Sequence, residues 1–210
     1  MALYVPKAFR VDDMPALHAL VDEHPFATLV TPASPEPFVT HVPLLRDRGT
    51  GALALIGHFA RANPHWQHAS KATSTAIFHG PHAYVSPTWY ADPANAVPTW
   101  NFATVHIKGR LEVLDAAPDA ERVLRALVER FEGDGELAWR FSMQGRAREA
   151  MISGIVAFRI VAEAIDGKFK LSQNRTPSDR RRVREALGAS GHAESRATGD
   201  WMRRFTSSDD

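Results

Sequence analysis

The stretch NFATVHIKGRLEVL, residues 101–114, decides the fold that this sequence predicts. It is rich in β-branched and other apolar residues, and it is long enough to form a main strand of a β-sheet. Gly109 lies inside the stretch and marks a candidate β-bulge. A sheet is therefore expected to form around this strand.

Shorter predicted strands lie on both sides of it. Those before it are FATLVT (26–31), FVTHVPLL (38–45), GALALIGHF (51–59), STAIFHG (74–80) and AYVS (83–86). The last two form either a strand pair or one interrupted strand, and Pro43 predicts an edge or bulge position for FVTHVPLL. After it, GIVAFRIVAEAIDGKFKLS (154–172) predicts a strand, an Asp166–Gly167 turn and a short return strand.

Helical periodicity and capping residues predict five helices. They are expected at residues 13–24, 64–70, 118–133, 136–154 and 176–188. Asp13, Asn63 and Thr176 are the expected N-caps of the first, second and fifth helices. The third has the clearest apolar stripe, formed by Val123, Leu124, Leu127, Val128 and Phe131.

This pattern of strands and interleaved helices in 210 residues predicts an α+β domain around a small antiparallel barrel. The expected domain covers residues 1–188. Residues 189–210 are expected to form a loose C-terminal tail with one aromatic anchor, Trp201 and Phe205.

The composition narrows the class of protein. A hydrophobic fraction of 44% suits a globular core, and a net charge of +1 gives no general attraction to nucleic acid or to an acidic membrane. The chain has no cysteine, which excludes disulfides and thiolate chemistry. No apolar run has the length of a signal peptide core or a membrane span, so a cytoplasmic protein is expected.

Sequence signatures for the common kinds of active site are absent. The chain has no Gly-x-Ser-x-Gly elbow, no Gly-rich phosphate loop and no dinucleotide fingerprint. Two histidine pairs, His65 with His68 and His79 with His82, have a spacing that could hold a metal. No HExxH motif or paired carboxylate supports them, so no metal site is predicted and no catalytic residue is assigned.

Aromatic residues gather in SPTWYADPANAVPTWNF, residues 86–102, where Pro-Thr-Trp occurs twice. Such a segment forms either a buried aromatic core or the wall of a pocket for a flat ligand. Two other segments offer groups that bind anions. GHFARANPHW (57–66) places His58, Arg61 and Asn63 at a strand-to-helix junction, and KFKLSQNR (168–175) combines basic and polar residues. Together these segments predict a cofactor with a phosphate and a large flat ring.

Five motifs, THVPLL, GHFARANPHW, FHGPHAYVSPTWY, VPTWNF and GKFKLSQNR, closely resemble the PaiB family of FMN-binding negative transcriptional regulators. The N-terminal LYVPKAF fits as well, and the resemblance covers about residues 1–188. It implies a split antiparallel β-barrel with flanking helices, of the FMN-binding type found in pyridoxamine-phosphate oxidases. It also implies a homodimer with FMN at the subunit interface.

The resemblance further implies which residues contact the cofactor. Those expected near the phosphate are Thr40, His41, His58, Arg61, Lys170 and Ser172, and those expected near the ring or the partner subunit are Trp89, Tyr90 and Trp100. Asn63, at the helix start, and Gln173, in the polar loop, are added from their positions in the two anion-binding segments.

Two kinds of function follow from these expectations. One is an FMN-dependent oxidoreductase of unassigned substrate, and the other is a negative transcriptional regulator. Direct DNA binding is doubtful, because RRRVRE (180–185) is the one dense basic run and no partner helix at short turn spacing is predicted beside it. Because split barrels also hold haem, a haem-binding protein is the alternative.

Overall fold

The structure is a computed structural model and describes residues 3–49, 51 and 53–206. Its strands are β1 (Arg10–Val11), β2 (Phe26–Thr31), β3 (Phe38–Pro43), β4 (Leu45–Arg46), β5 (Ala54–Ala60), β6 (Thr73–Val85), β7 (Thr99–Leu114) and β8 (Ile155–Lys170). Its helices are α1 (Met14–Glu23), α2 (His65–Ala69), α3 (Ala117–Glu132), α4 (Gly145–Ser153), α5 (Pro177–Gly188) and α6 (Ala193–Phe205). Short 3-10 helices form at Lys7–Phe9, Pro87–Trp89 and Pro93–Asn95.

The strands form one sheet in the order β3-β2-β6-β7-β8-β5-β4, and β1 also pairs with β8. The registers of β2 with β3, of β2 with β6 and of β5 with β8 are antiparallel. Because β3 ends this order, the edge position predicted from Pro43 is confirmed. The predicted main strand is confirmed as β7, at the centre of the order.

The chain divides into two compact units, which we number for reference. Unit 1 comprises residues up to Glu23, His79–Val105 and the residues from Asp166 onward. Unit 2 comprises His24–Phe78 and His106–Ile165. Each unit is described separately below.

The predicted turn at Asp166–Gly167 is wrong, because β8 runs through both residues without interruption. In unit 1, Gly167 pairs with Val11 of β1. A Cβ atom on Gly167 would lie 2.2 Å from Leu17 Cδ2 and 3.0 Å from the Val11 carbonyl oxygen. The glycine therefore allows α1 and β1 to approach β8 closely, and an Asp-Gly pair alone does not distinguish this use from a turn.

The structure also shows whether residues 74–86 form one strand or two, and why Gly109 lies inside β7. The two predicted segments 74–80 and 83–86 belong to one strand, β6 (Thr73–Val85), which continues through Gly80 and Pro81 and ends before Ser86. In unit 2, a Cβ atom on Gly109 would lie 2.0 Å from the Val161 carbonyl oxygen on β8. Gly109 thus allows the backbone of β8 to approach closely. Close approach of another backbone is a known reason for a glycine inside a strand.

The core of unit 2 packs α3 against the sheet. Val123 and Leu127 of α3 are buried against Ile56 of β5 and Ala157 of β8. The predicted stripe is correct for these positions, but Phe131 in the last helical turn is 54% exposed. The helix predicted over 136–154 forms only at Gly145–Ser153 (α4), and the residues before it are irregular.

In unit 1, the structure contradicts the expectation of a loose tail for residues 193–205. They form α6, whose Trp201 is 5% exposed and packs its ring 5.4 Å from that of Phe169. Phe205 also lies 5.4 Å from Phe169, so the predicted aromatic anchor is confirmed. Burial of these two rings provides the apolar contact that holds the helix.

Helix α6 also corrects the expectation that the basic run has no partner helix. It follows α5 after a connection of residues 189–192, and the two helices pack together in unit 1. The predicted caps at the starts of α1 and α5 are confirmed, since Asp13 and Thr176 accept hydrogen bonds from the Ala16 and Asp179 backbone N–H groups. No helix among residues 3–49, 51 and 53–206 is long and apolar enough to cross a membrane.

Candidate functional site

In unit 2, the predicted residues Thr40 and Asn63 belong to a buried polar network centred on His65. The two His65 ring nitrogens lie 2.8 Å from Thr40 Oγ1 and 2.8 Å from Thr31 Oγ1. Asn63 donates to Thr40 Oγ1 at 3.1 Å and accepts from the His65 backbone N–H at 3.0 Å. Ser74 completes the network at 2.6 Å from Thr31. The side chains of this network therefore fix one another's positions through hydrogen bonds.

Burial lowers the pKa of His65 to about 4, and the nearby His68 adds to this effect. The imidazole is fully buried, and both of its nitrogens are already bonded to hydroxyl groups. His65 is therefore neutral at physiological pH and is not free to bind a metal. Among the residues that the structure describes, no group of three or more His, Cys, Asp or Glu side chains could hold a metal ion.

Arg61 bridges two parts of unit 2 through main-chain oxygens. Its Nε donates to the Ser153 carbonyl at 2.7 Å, and its Nη2 donates to the Ile155 carbonyl at 2.6 Å. The guanidinium thus joins the start of α2 to the junction of α4 and β8. Because Pro64 stands at the N-cap of α2, the helix begins one residue later than predicted.

The two remaining predicted residues of unit 2 are histidines on different strands. His41 is exposed, and its Nδ1 lies 3.2 Å from Thr28 Oγ1. His58 is half-buried on β5, and its Nδ1 is buried without a hydrogen-bond partner. Burial lowers the pKa of His58. An orphaned buried nitrogen of this kind is a group that a ligand could satisfy.

The two Pro-Thr-Trp triplets, both in unit 1, adopt different structures. Pro87–Trp89 forms a 3-10 helix, in which the Ser86 hydroxyl accepts from the Thr88 backbone N–H at 3.3 Å. The second triplet leads into β7, where Trp100 is 52% exposed. Tyr90, next to the first triplet, is buried. The segment is thus neither a fully buried core nor a uniformly exposed wall.

Trp100 belongs to an exposed cluster of aromatic side chains in unit 1, which we call the aromatic face. It consists of His82 and Tyr84 on β6 and Trp100 and Phe102 on β7. The Trp100 ring lies 5.7 Å from that of His82 and 6.3 Å from that of Tyr84, which is 47% exposed. Lys168 of β8 places its ammonium 5.3 Å from the Phe102 ring, so the face has a cation at its edge.

Unit 1 also contains a pocket of about 180 Å³, which we call the lysine pocket. It is lined by Phe9, Tyr90, Val97, Thr99, Asn101, Lys170, Ser172, Asn174 and Arg175. Lys170 donates to Thr99 Oγ1 at 2.5 Å and to the Trp100 carbonyl at 2.6 Å. Burial lowers the pKa of Lys170, and the positive charges of Arg175 and Lys168 lower it further.

Several features of the lysine pocket indicate a site for a ligand. Tyr90 is 4% exposed, and its hydroxyl has no hydrogen-bond partner. The Arg175 guanidinium lies 4.4 Å from the centre of the Tyr90 ring. Ser172 has a positive φ of 66°, which is uncommon for a residue other than glycine, and its hydroxyl pairs with Asn101. Strained backbone of this kind is frequent at functional sites.

Gln173, by contrast, supports its own loop. Its side-chain oxygen accepts from the Leu171 backbone N–H at 2.7 Å, and its amide donates to the Phe169 carbonyl at 2.5 Å. Both ends of the side chain are thereby engaged. Its predicted role in cofactor binding stays a prediction, and the structure shows that it shapes the loop after β8.

Sequence reasoning grouped the predicted residues into one site, whereas the structure distributes them over two units. Tyr90, Lys170 and Ser172 line one pocket, and Trp100 lies on the aromatic face. Trp89 is half-buried in the 3-10 helix. Four lining residues lay outside the prediction, namely Phe9, Val97, Thr99 and Asn101, whereas Asn174 and Arg175 belong to the predicted anion-binding segment KFKLSQNR. Asn101 could have been recognised from the sequence. It is a polar residue inside an otherwise apolar strand, and such a residue is buried only when it has hydrogen-bond partners.

Comparison with known proteins identifies the family. A family model described as "Putative FMN-binding domain" matches residues 3–164. The chain belongs to this family. A relative from Bacillus subtilis (strain 168), "Protease synthase and sporulation protein PAI 2", is 35% identical over 188 residues, which cover 88% of this chain and 89% of the relative. Membership in this FMN-binding family, of PaiB type, assigns FMN as the cofactor and favours it over haem.

Solved structures of low sequence identity share the fold. The flavocytochrome Anf3 from Azotobacter vinelandii has a TM-score of 0.62 at 17% identity, over 79% of this chain and 72% of its own. The FAD and heme binding protein from Mycobacterium smegmatis has a TM-score of 0.59 at 16% identity, over 77% of this chain and 73% of its own. Together with the open antiparallel sheet, these likenesses confirm the expected α+β split-barrel fold of this FMN-binding family member.

The residues of unit 1 fit the chemistry of FMN. The cofactor combines a large flat ring with an anionic phosphate, and the ring suits an exposed aromatic surface. The aromatic face provides that surface, and Lys168 provides positive charge at its edge. Tyr84 and Trp100 are each about half exposed, so both rings still have area to bury against a ligand.

Proposed function

We propose that this protein is a homodimeric, FMN-dependent oxidoreductase, in which the FMN ring packs against the aromatic face of unit 1. The observation that carries this proposal is the exposure of Trp100 and Tyr84, beside each other on adjacent strands. Contiguous exposed apolar patches on soluble proteins mark ligand or subunit interfaces. A flat ring covers such a pair with little loss of side-chain entropy, because aromatic side chains have few rotatable bonds.

The charge at the edge of the face supports FMN as the ligand. Lys168 donates to the Tyr4 carbonyl at 3.1 Å, which leaves two of its three N–H donors for an anionic group. A charge-assisted hydrogen bond to phosphate is stronger than a neutral one. Riboflavin lacks the phosphate and would gain only the contacts of the ring.

A second copy of the chain provides the other wall in this proposal. One aromatic face covers only one side of a flat ring, so the opposite side needs a partner. Dimerisation would bury this face together with the cofactor.

The chemistry of the reaction belongs to the cofactor, since bound FMN supplies hydride and one-electron transfer. The aromatic face would orient the ring and exclude water from it. The contacts predicted between FMN and Thr40, His41, His58, Arg61 and Asn63 of unit 2 stay a separate prediction. We do not propose direct action on DNA, because a net charge of +1 releases few counterions from DNA and so provides little affinity for it.

Two exposed tryptophans offer a matched test. Trp100 lies on the aromatic face of unit 1, whereas Trp139 (44% exposed) lies in unit 2 and packs against Phe141. We expect Trp100→Ala to weaken FMN binding about 2- to 10-fold, because an aromatic contact contributes about 0.5–1.5 kcal/mol beyond its area. Trp139→Ala should leave the dissociation constant unchanged.

The measurement is a titration followed by flavin fluorescence, with riboflavin as a second ligand. Because Trp100 contacts the ring in this proposal, its loss should weaken the binding of FMN and of riboflavin by similar factors. Equal FMN affinity in the wild type and in Trp100→Ala would refute the assignment of the ring to the aromatic face.

A further inference from the structure

We infer that the lysine pocket is a binding site for a small oxyanion, a carboxylate or phosphate group of a second ligand, and is separate from the FMN site. The inference concerns Tyr90, Lys170 and Arg175, whose side chains meet in unit 1. It rests on the charge, the size and the unsatisfied donor of the pocket, and it does not depend on where the FMN ring binds.

The charge of the pocket is positive and uncompensated within its own lining. Lys170 and Arg175 are its two cations, and none of its nine lining residues is acidic. Arg175 rests on the Tyr90 ring and forms no ion pair with a carboxylate among the residues that the structure describes. Two neighbouring cations disfavour each other, and the pKa of Lys170 is lowered first by its burial and then by this repulsion. A bound anion would relieve it.

Hydrogen-bond donors remain available for that anion. Lys170 uses two of its three N–H groups, on Thr99 and on the Trp100 carbonyl, and keeps one. The Tyr90 hydroxyl is buried at the same pocket without a partner. A buried unpaired hydroxyl destabilises the fold, so a native protein tends to give it a ligand or an ordered water.

The size of the pocket sets the class of ligand. A volume of about 180 Å³ corresponds to about six water molecules at 30 Å³ each. Pockets for drug-sized ligands measure about 300–1,000 Å³, so this one accepts an oxyanion with a short attached chain and excludes a flavin ring.

The test uses inorganic phosphate and acetate as probes on the purified protein, with and without bound FMN. We expect phosphate at ten times its dissociation constant to raise the Tm by about 2–5 °C, equally in the FMN-free and FMN-loaded protein. Acetate should act in the same direction, because it presents a carboxylate to the same donors.

Three variants assign the effect to the pocket. Arg175→Gln and Lys170→Met should each weaken phosphate binding at least tenfold, since each removes a charge-assisted contact. Tyr90→Phe removes only the hydroxyl and should weaken it about fivefold. Arg182→Gln is the matched control, because Arg182 is an exposed arginine of α5 that does not line the pocket, and it should bind phosphate as the wild type does.

Two outcomes would overturn the inference. If FMN loading abolishes the phosphate effect while riboflavin loading preserves it, the pocket holds the phosphate of the cofactor. If neither anion shifts the Tm, or if Arg182→Gln loses binding as Arg175→Gln does, the pocket is not an anion site. FMN affinity is measured in parallel for every variant, so failure of this inference is distinguishable from failure of the proposed FMN site.

Discussion

At the scale of single residues, His65 shows how burial determines the role of a titratable group. Its two ring nitrogens are shared between the hydroxyls of Thr31 and Thr40, and its ring packs against those of Phe38 and Phe59. A proton on this imidazole would place charge in an environment of hydroxyls and aromatic rings. The side chain therefore acts as a neutral linker between β2, β3 and α2.

This arrangement predicts how stability depends on pH. The pKa of a histidine is ordinarily about 6.5, whereas burial lowers the pKa of His65 to about 4 in the folded protein, so the unfolded chain binds more protons between these limits. The free energy of unfolding should therefore be highest above about pH 6.5. It should fall on acidification toward pH 4, by at most about 1.4 kcal/mol per pH unit for this residue.

Urea unfolding of the FMN-free protein at several pH values measures this slope. His65→Gln should be less stable at neutral pH but should lose most of the slope, and the lowered pKa of His58 accounts for some of what remains. His192→Gln is the control, because His192 is exposed at the start of α6. An unchanged slope in His65→Gln would contradict the prediction.

At the scale of secondary-structure elements, β8 depends on a glycine that the sequence pattern assigns to a turn. Gly167 lies opposite Val11 and against the side chain of Leu17, which is 1% exposed. The strand can therefore carry β1 and α1 only if residue 167 lacks a side chain. The same element leads directly into the loop of the lysine pocket.

We expect Gly167→Ala to lower the free energy of unfolding by about 1–3 kcal/mol, because the added methyl group overpacks the contact with Leu17. Gly188→Ala is the matched control. A Cβ atom on Gly188, the last residue of α5, meets nothing within 4 Å, so alanine there should be neutral or stabilise the protein by up to about 1 kcal/mol. Both values come from denaturant titration, and equal stabilities of the two variants would contradict the packing argument.

At the scale of the whole molecule, the proposed dimer explains why unit 1 leaves aromatic side chains exposed. Tyr84, Val97 and Trp100 in unit 1 are all about half exposed or more. Light scattering should show a dimer at micromolar concentration in the FMN-loaded protein. FMN should shift the equilibrium toward the dimer, since a ligand that binds only the assembled form stabilises it.

A charged substitution tests whether the aromatic face takes part in the dimer. Tyr84→Lys places a charge on the aromatic face and should weaken dimerisation at least tenfold, because two like charges would meet at a symmetric interface. Glu194→Lys is not a suitable control, as Glu194 accepts from the His82 backbone N–H. Arg182→Gln is the control in this experiment as well. A wild-type protein that stays monomeric with FMN bound would contradict the dimer.

The sequence by itself determined the elements whose signals are local. The strands β2, β3 and β7, the helix α3 and the caps at Asp13 and Thr176 follow from periodicity and capping chemistry within a few residues. Ordered family motifs along the chain indicated FMN and the split-barrel fold before any packing was known. Such signals are readable because neighbouring residues alone produce them.

Only the tertiary structure decided how distant residues meet. It showed that Gly167 lies in a packed strand, that Arg61 bonds to the carbonyls of Ser153 and Ile155, and that α6 is a packed helix. It also joined Tyr90 to Lys170, which are far apart in the chain, in one pocket with an unsatisfied hydroxyl. The physical reason is that close approach, burial and hydrogen-bond satisfaction depend on which surfaces come together, and a local pattern does not contain that information.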